Sequence, residues 1–265
     1  SAPVPEHIIS CLPAQSLYMA VQALGLESAR EIIEAASDEQ YRLLLDLHLW
    51  DKDSFNEENF WDWLSVIDDP DSFDSLQHFQ ECLDPRLTAL VIQRNVAVQV
   101  NEEPTEVPPG AGWYTPDKGY TWLRILCTEA EEHRLLGRFL ALLFDQNPEL
   151  FYQLIALPQA ATAIELEEEA YAEQRTRFAD EGIPEFDAAA GLNQPIPPDR
   201  VVQAAAETRA PVFEYSPVIQ PVIYDPNRIE PLYSLAEALV RSDELDALDN
   251  FQRELSLLAN AAIIF

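Results

Sequence analysis

Basic side chains are scarce in this chain of 265 residues: 16 arginines and lysines, of which only Lys52 and Lys118 are lysine, stand against 47 aspartates and glutamates, for a formal charge of -31. A field of that sign repels phosphate backbones and anionic headgroups, and no local basic patch offsets it. Neither nucleic acid nor a membrane surface is therefore expected as a partner. An acid-rich, lysine-poor surface also suits solubility in concentrated salt, which suggests a salt-adapted source. A surface that imitates nucleic acid is a minor alternative.

Cysteine is nearly absent as well. Cys11, Cys82 and Cys127 are odd in number, far apart and form no C-x-x-C pair, which excludes a disulfide framework and a zinc finger and points to a reducing cytoplasm. Long apolar runs are missing too. The longest, from Leu135 to Phe144, is broken by Gly137 and Arg138 and falls short of the ~20 residues that cross a bilayer. Residues Ser1 to Ser10 carry no basic segment followed by an apolar core, so nothing supports secretion.

Glycine numbers only seven, and the glycine-dependent motifs are absent with it. The segment Pro108 to Tyr120 gathers Gly110, Gly112, Trp113, Lys118 and Tyr120, but it has no G-K-[ST] and lacks the third glycine of a dinucleotide fingerprint. It reads as an ordered turn packed by its aromatics, with a ligand-binding loop as the alternative. No G-x-S-x-G elbow and no S-x-x-K occur. No cofactor is expected.

What the chain does have is core material: 48% hydrophobic residues, with five Trp, nine Tyr and twelve Phe. That composition marks a folded protein rather than an acidic tail, long enough for one large domain or two small ones. Helix punctuation is dense. Pro13 opens a helix to Leu24, closed by Gly25. Ser37 with Gln40, and Ser54 with Glu57, fit the capping box. Asp84-Pro85, Thr115-Pro116 and Asn147-Pro148 each join a capping side chain to a proline at the first helical position.

Between these signals the apolar spacing is helical: Ile32, Ile33 and Ala36; then Leu43, Leu44, Leu47 and Trp50; then Phe60, Trp63, Leu64 and Ile67. The fold class expected is mainly α, with short amphipathic helices stacked as an irregular α-solenoid or bundle. A small extended or β element is expected near 96–120, with Val96 to Val100 as the strand. Nine prolines between Pro184 and Pro231 mark a proline-rich ordered segment, with room for a helix only near Val201 to Thr208. The domain reading is a helical domain over 1–183, this connecting segment over 184–231, and a C-terminal helical segment over 232–265 opened by a capping box at Ser234. The apolar ending Ala261 to Phe265 suggests that a longer chain continues beyond it.

Two places invite a chemical reading. In the run Glu165 to Phe178, positions 164, 168, 171, 175 and 178 share a helix face, which places Glu168 and Arg175 in an otherwise apolar row of Ile164, Tyr171 and Phe178. If that face is buried, Glu168 and Arg175 are catalytic candidates, and Glu165 a metal-ligand candidate; a structural ion-pair network is the plainer reading. Glu129 and His133, at i,i+4 with Glu132 beside them, could present two metal ligands, although the order H-E-x-x-H is absent and a capped, solvated helix face is the plainer reading. Asp51-Lys52-Asp53 starts like a calcium loop, but Phe55 and Asn56 occupy a ligand and the turn-glycine position, so these aspartates are expected to cap the next helix.

Leu12 to Tyr18, the run Leu44 to Asp51, and the helix Glu167 to Tyr171 ending in Arg175, Arg177 and Gly182 resemble a bacterial family of unknown function over most of the chain. The resemblance implies a cytoplasmic bacterial protein and brings no activity, catalytic residue or cofactor with it. The first hundred or so residues also faintly resemble the superhelical N-terminal domains of bacterial magnesium transporters and the helical repeats of flagellar motor switch proteins, a likeness of fold alone. The leading expectation is a cytoplasmic protein-protein interaction or scaffold module that selects basic or arginine-rich partners. The rival is a carboxylate-based metal-dependent enzyme or metal-responsive regulator centred on Glu165 to Glu173, whose side chains would then converge on one pocket.

Overall fold

A computed structural model describes residues 9–69, 72–192 and 245–264. Contacts divide the chain into two compact units, Ser1–Gln174 and Arg175–Phe265. Eleven helices and four short strands occur among the described residues. The chain is mainly helical, as its pattern predicts.

The first unit opens with α1 (Ala14–Leu24), which starts after Pro13 and ends at Gly25, where φ is 80°. The short α2 (Arg30–Glu34) and α3 (Asp38–His48) follow. Ser37 and Gln40 form the expected capping box, and Gln40 Nε2 also donates to the carbonyls of Ile9 and Leu12 at 2.9 and 2.6 Å, tying the start of the chain to α3.

A two-residue hairpin, β1 (Trp50–Asp51) with β2 (Ser54–Phe55), separates α3 from α4 (Glu57–Ile67). Here the expected capping box fails. Ser54 is spent on the hairpin, whose turn places Lys52 at φ 61°, so the helix starts later, with the Asn56 side chain accepting from the Asn59 N–H at 3.2 Å. Asp51 and Asp53 belong to the same hairpin and do not cap the helix. Next come α5 (Asp74–Cys82) and α6 (Pro85–Asn95), the latter capped by Asp84 with Pro85 at its first turn.

Strand β3 (Val96–Val100) pairs antiparallel with β4 (Thr121–Ile125), in the register Val96 opposite Ile125. Thr115-Pro116 therefore starts no helix. The Thr115 hydroxyl instead donates to Asp117 at 2.9 Å and accepts from the Gly119 N–H at 2.8 Å, closing a turn that leads into β4. Gly119 is required there: its φ is 103°, and a Cβ would lie 2.1 Å from the Thr105 carbonyl oxygen. The loop is thus ordered, although Tyr120 stays exposed and Trp113 only half-buried, with the Arg124 guanidinium 5.4 Å from the Trp113 ring.

α7 (Ala130–Gln146), α8 (Pro148–Ala160) and α9 (Ala163–Asp180) complete the unit, α9 running on across its boundary. α1 packs on α3, α3 on α5, α5 on α7, and α8 on both α6 and α7. Phe60 of α4, Phe79 of α5 and Phe139 of α7 meet at the centre with ring centroids 5.8–6.3 Å apart, each fully buried. Gln93 of α6 donates to the Pro158 and Ala161 carbonyls at 3.0 and 3.2 Å, satisfying groups that the end of α8 leaves open.

In the second unit, α10 (Phe186–Leu192) packs on α11 (Leu245–Ile264), and Asn260 donates to the Gly182 carbonyl at 2.9 Å. The proline-rich segment expected over 184–231 falls outside the described residues from residue 193 onward, as do the helix near Val201 and the capping box at Ser234. No described helix is long and apolar enough to cross a membrane.

Candidate functional site

A recess of about 480 Å³ lies between α2, α3, α5 and the turn that joins α4 to α5, within the size range of ligand sites. Ile33 and Ile67, both buried, provide apolar wall. Its polar lining is acidic: Glu34, Asp69 and Asp74 face a single arginine, Arg30. That arginine is already engaged, with Nε 2.8 Å from Glu34 and an Nη 3.4 Å from Asp69, and the Glu34 hydrogen bond raises its pKa further above the ordinary value against the opposing effect of burial. The Ser75 hydroxyl donates to Glu34 at 3.1 Å, and the Asp74 N–H to Ser72 at 3.1 Å, fixing the mouth of the recess to the first turn of α5.

Tyr41 forms part of the wall and is 2% exposed. Its ring lies 4.4 Å from the His78 ring and 5.5 Å from Trp63. Its hydroxyl is shielded from solvent and makes no hydrogen bond, an arrangement that costs free energy unless something supplies a partner. Burial pushes the hydroxyl's pKa well up, with Cys82 and Glu34 adding to the shift, so the group stays neutral.

Beside the recess, one group of three metal-type donors comes together among the described residues. Asp38, at the first turn of α3, and His78 and Cys82, one turn apart on α5, bring their ligand atoms within 4.8 Å of one another. His78 Nε2 and Asp38 Oδ1 are 3.2 Å apart, and the Cys82 sulfur lies 3.9 Å from the Asp38 carbonyl oxygen. Cys82 is buried and Asp38 open to solvent. Burial pushes the Cys82 thiol up to about 11, Asp38 adding to the shift and Arg42 opposing it.

The residues nominated from sequence lie elsewhere. The face with Ile164, Glu168 and Arg175 is exposed rather than buried; α9 instead buries Leu166, Ala170, Gln174 and Phe178. Glu165 is a cap, its carboxylate accepting from the Thr162 N–H at 2.7 Å and hydroxyl at 2.9 Å, and this bonding lowers its pKa. Arg175 is engaged by Glu185. Glu129 and His133 are exposed on the first turn of α7 and belong to no three-donor group.

Glu167, Glu169 and Glu173 of α9 pair with α6 and β2. Glu167 accepts from the Phe55 N–H at 2.8 Å and meets Arg94 at 3.0 Å, while Arg86 meets Glu169 at 3.1 Å and Glu173 at 3.7 Å. They diverge into these pairs and line no common pocket. Residues that sequence reasoning missed are Tyr41, Arg30, Asp38, His78 and Cys82. The i,i+4 spacing of His78 and Cys82 was a readable signal; the approach of α3, forty residues earlier, was not.

Fold and site together define an acidic, mainly helical protein with a carboxylate-lined recess. The chain belongs to the family of unknown function DUF6178, whose model matches residues 1–264. No curated protein matches it, and no solved structure does.

Proposed function

We propose that the protein is a protein-protein interaction module whose recess takes an arginine side chain from a basic partner. The observation that carries this reading is the recess itself: three carboxylates against one guanidinium, with that guanidinium already held by two of the three. A guanidinium brings five N–H donors in a planar fork. Asp74 is the carboxylate not engaged by Arg30, and the apolar wall accommodates the methylene stem. The charge of -31 draws basic partners from a distance and raises their association rate in a salt-dependent way. That α9's carboxylates pair off with Arg86 and Arg94 instead of converging also favours binding over the carboxylate-enzyme reading.

The test is fluorescence polarisation with a labelled peptide carrying a central arginine, against the same peptide with citrulline, which keeps the shape and removes the charge. The arginine peptide binds the wild type at physiological salt, the citrulline peptide does not, and Asp74→Asn weakens the difference at least tenfold. Equal weak binding of both peptides, unchanged in Asp74→Asn, refutes the assignment.

A further inference from the structure

We infer that Asp38, His78 and Cys82 form a binding site for a thiophilic divalent cation, with zinc as the best match. Three donors of three different kinds converge from two helices, with Asp38 on the first turn of α3 and the i,i+4 pair His78 and Cys82 on α5. Zinc takes Cys sulfur, His nitrogen and carboxylate oxygen in tetrahedral sites with bonds of about 2.0–2.3 Å, so its ligand atoms stand roughly 3.3–3.8 Å apart. The 3.2 Å between His78 Nε2 and Asp38 Oδ1 already has that spacing. All three ligand atoms lie within 4.8 Å of one another, and the Asp38 side chain, 72% exposed, has room to adjust.

The two other donors are held. The His78 ring packs at a tilt against the buried Tyr41 ring, 4.4 Å between centroids, and Cys82 is 6% exposed in the core. In binding, the cation takes the Nε2 lone pair of the neutral His78 ring, whose one proton sits on Nδ1, and the Cys82 thiol gives up its proton to solvent as the sulfur-metal bond forms. A dication with one thiolate and one carboxylate is charge-neutral, and water completes the fourth position. This donor set excludes magnesium and calcium, which take oxygen ligands. Cys82 and Asp38 do not line the acidic recess whereas His78 does, so Cys82→Ser and Asp38→Asn, rather than His78→Gln, separate this inference from the arginine reading.

Cobalt substitution reads the site directly, because a thiolate bound to cobalt gives a charge-transfer band that the carboxylate-rich surface cannot produce. The reduced full chain is titrated with cobalt chloride in excess sodium chloride, then with zinc. The expected result is one equivalent of cobalt with a thiolate band, displaced by zinc, absent in Cys82→Ser, weakened at least tenfold in affinity by His78→Gln and by Asp38→Asn, and retained in Cys11→Ser and Cys127→Ser. Far-UV circular dichroism and a thermal melt of each variant without metal establish that it folds; Asp38→Asn, at an exposed position, keeps the test valid even if a core change at Cys82 does not fold. No thiolate band in the wild type, or a band that survives either His78→Gln or Asp38→Asn undiminished, overturns the assignment.

Discussion

The buried, unpartnered hydroxyl of Tyr41 makes a sharp prediction, because removing it should strengthen the fold. Tyr41→Phe deletes one oxygen and leaves the ring against His78 at 4.4 Å and Trp63 at 5.5 Å, so the packing contribution is conserved. In the unfolded chain the hydroxyl is hydrated; in the folded chain it is cut off from solvent without a hydrogen bond. Leaving such a group unsatisfied costs about 1–3 kcal/mol, and the phenylalanine variant recovers that amount. For a cooperative unit of roughly 150–250 residues, each kcal/mol moves Tm by about 2–4 °C. The assay is urea unfolding followed by tryptophan fluorescence. Stability rises by about 1 kcal/mol or more. A destabilised Tyr41→Phe protein means that the hydroxyl has a partner in the free protein and refutes the reasoning.

Three further outcomes test the fold that positions the recess. Phe60→Ala empties the centre of the aromatic core, where Phe60 is fully buried against Phe79 and Phe139, and lowers unfolding stability by about 3–5 kcal/mol in a denaturant titration. Gly119→Ala drives a methyl into the Thr105 carbonyl at a φ of 103°; it costs more than Gly112→Ala, which meets only the flexible Arg124 side chain at 3.9 Å, and the gap shows as faster proteolysis of the 101–120 loop. Burial lowers the pKa of His48, whose Nδ1 accepts from Trp63 Nε1 at 3.0 Å, so its ring is neutral in the fold and binds its proton more readily when unfolded. Stability is therefore complete above the ordinary histidine pKa of about 6.5 and falls as pH drops below it toward the folded value; His48→Gln flattens that stretch of the stability-pH curve.

Most of the helical scaffold was legible because its signals are local. Pro13 and Gly25 bracket α1, Ser37 and Gln40 cap α3, and Asp84-Pro85 and Asn147-Pro148 start α6 and α8 with their side chains on the expected N–H groups. The stripe Phe60, Trp63, Leu64, Ile67 is buried in full. Failures came where one signature serves two structures. Thr115-Pro116 resembles a helix start, yet the same hydroxyl closes a turn, and reading it as helix concealed β4 immediately after it. Ser54 was lost to a hairpin that no single-residue signal announces. On α9 the face was misread because Ile164, Tyr171 and Phe178 suggest a stripe, whereas Leu166, Ala170 and Gln174 share the inside with Phe178, Gln174 donating to the Asp46 carbonyl at 2.6 Å. The recess was illegible for a more general reason: Arg30, Tyr41, Asp69, Asp74 and His78 meet only after α2, α3 and α5 pack, and spacing along the chain carries no record of that.

Hydrogen-deuterium exchange with and without the arginine peptide locates the docking surface without assuming it. Slowed exchange confined to residues 30–41 and 72–78, absent with the citrulline peptide, is the predicted result. Protection on α8 or α9 instead, or equal weak protection across the acidic surface with both peptides, contradicts the assignment of the recess as the partner's binding site.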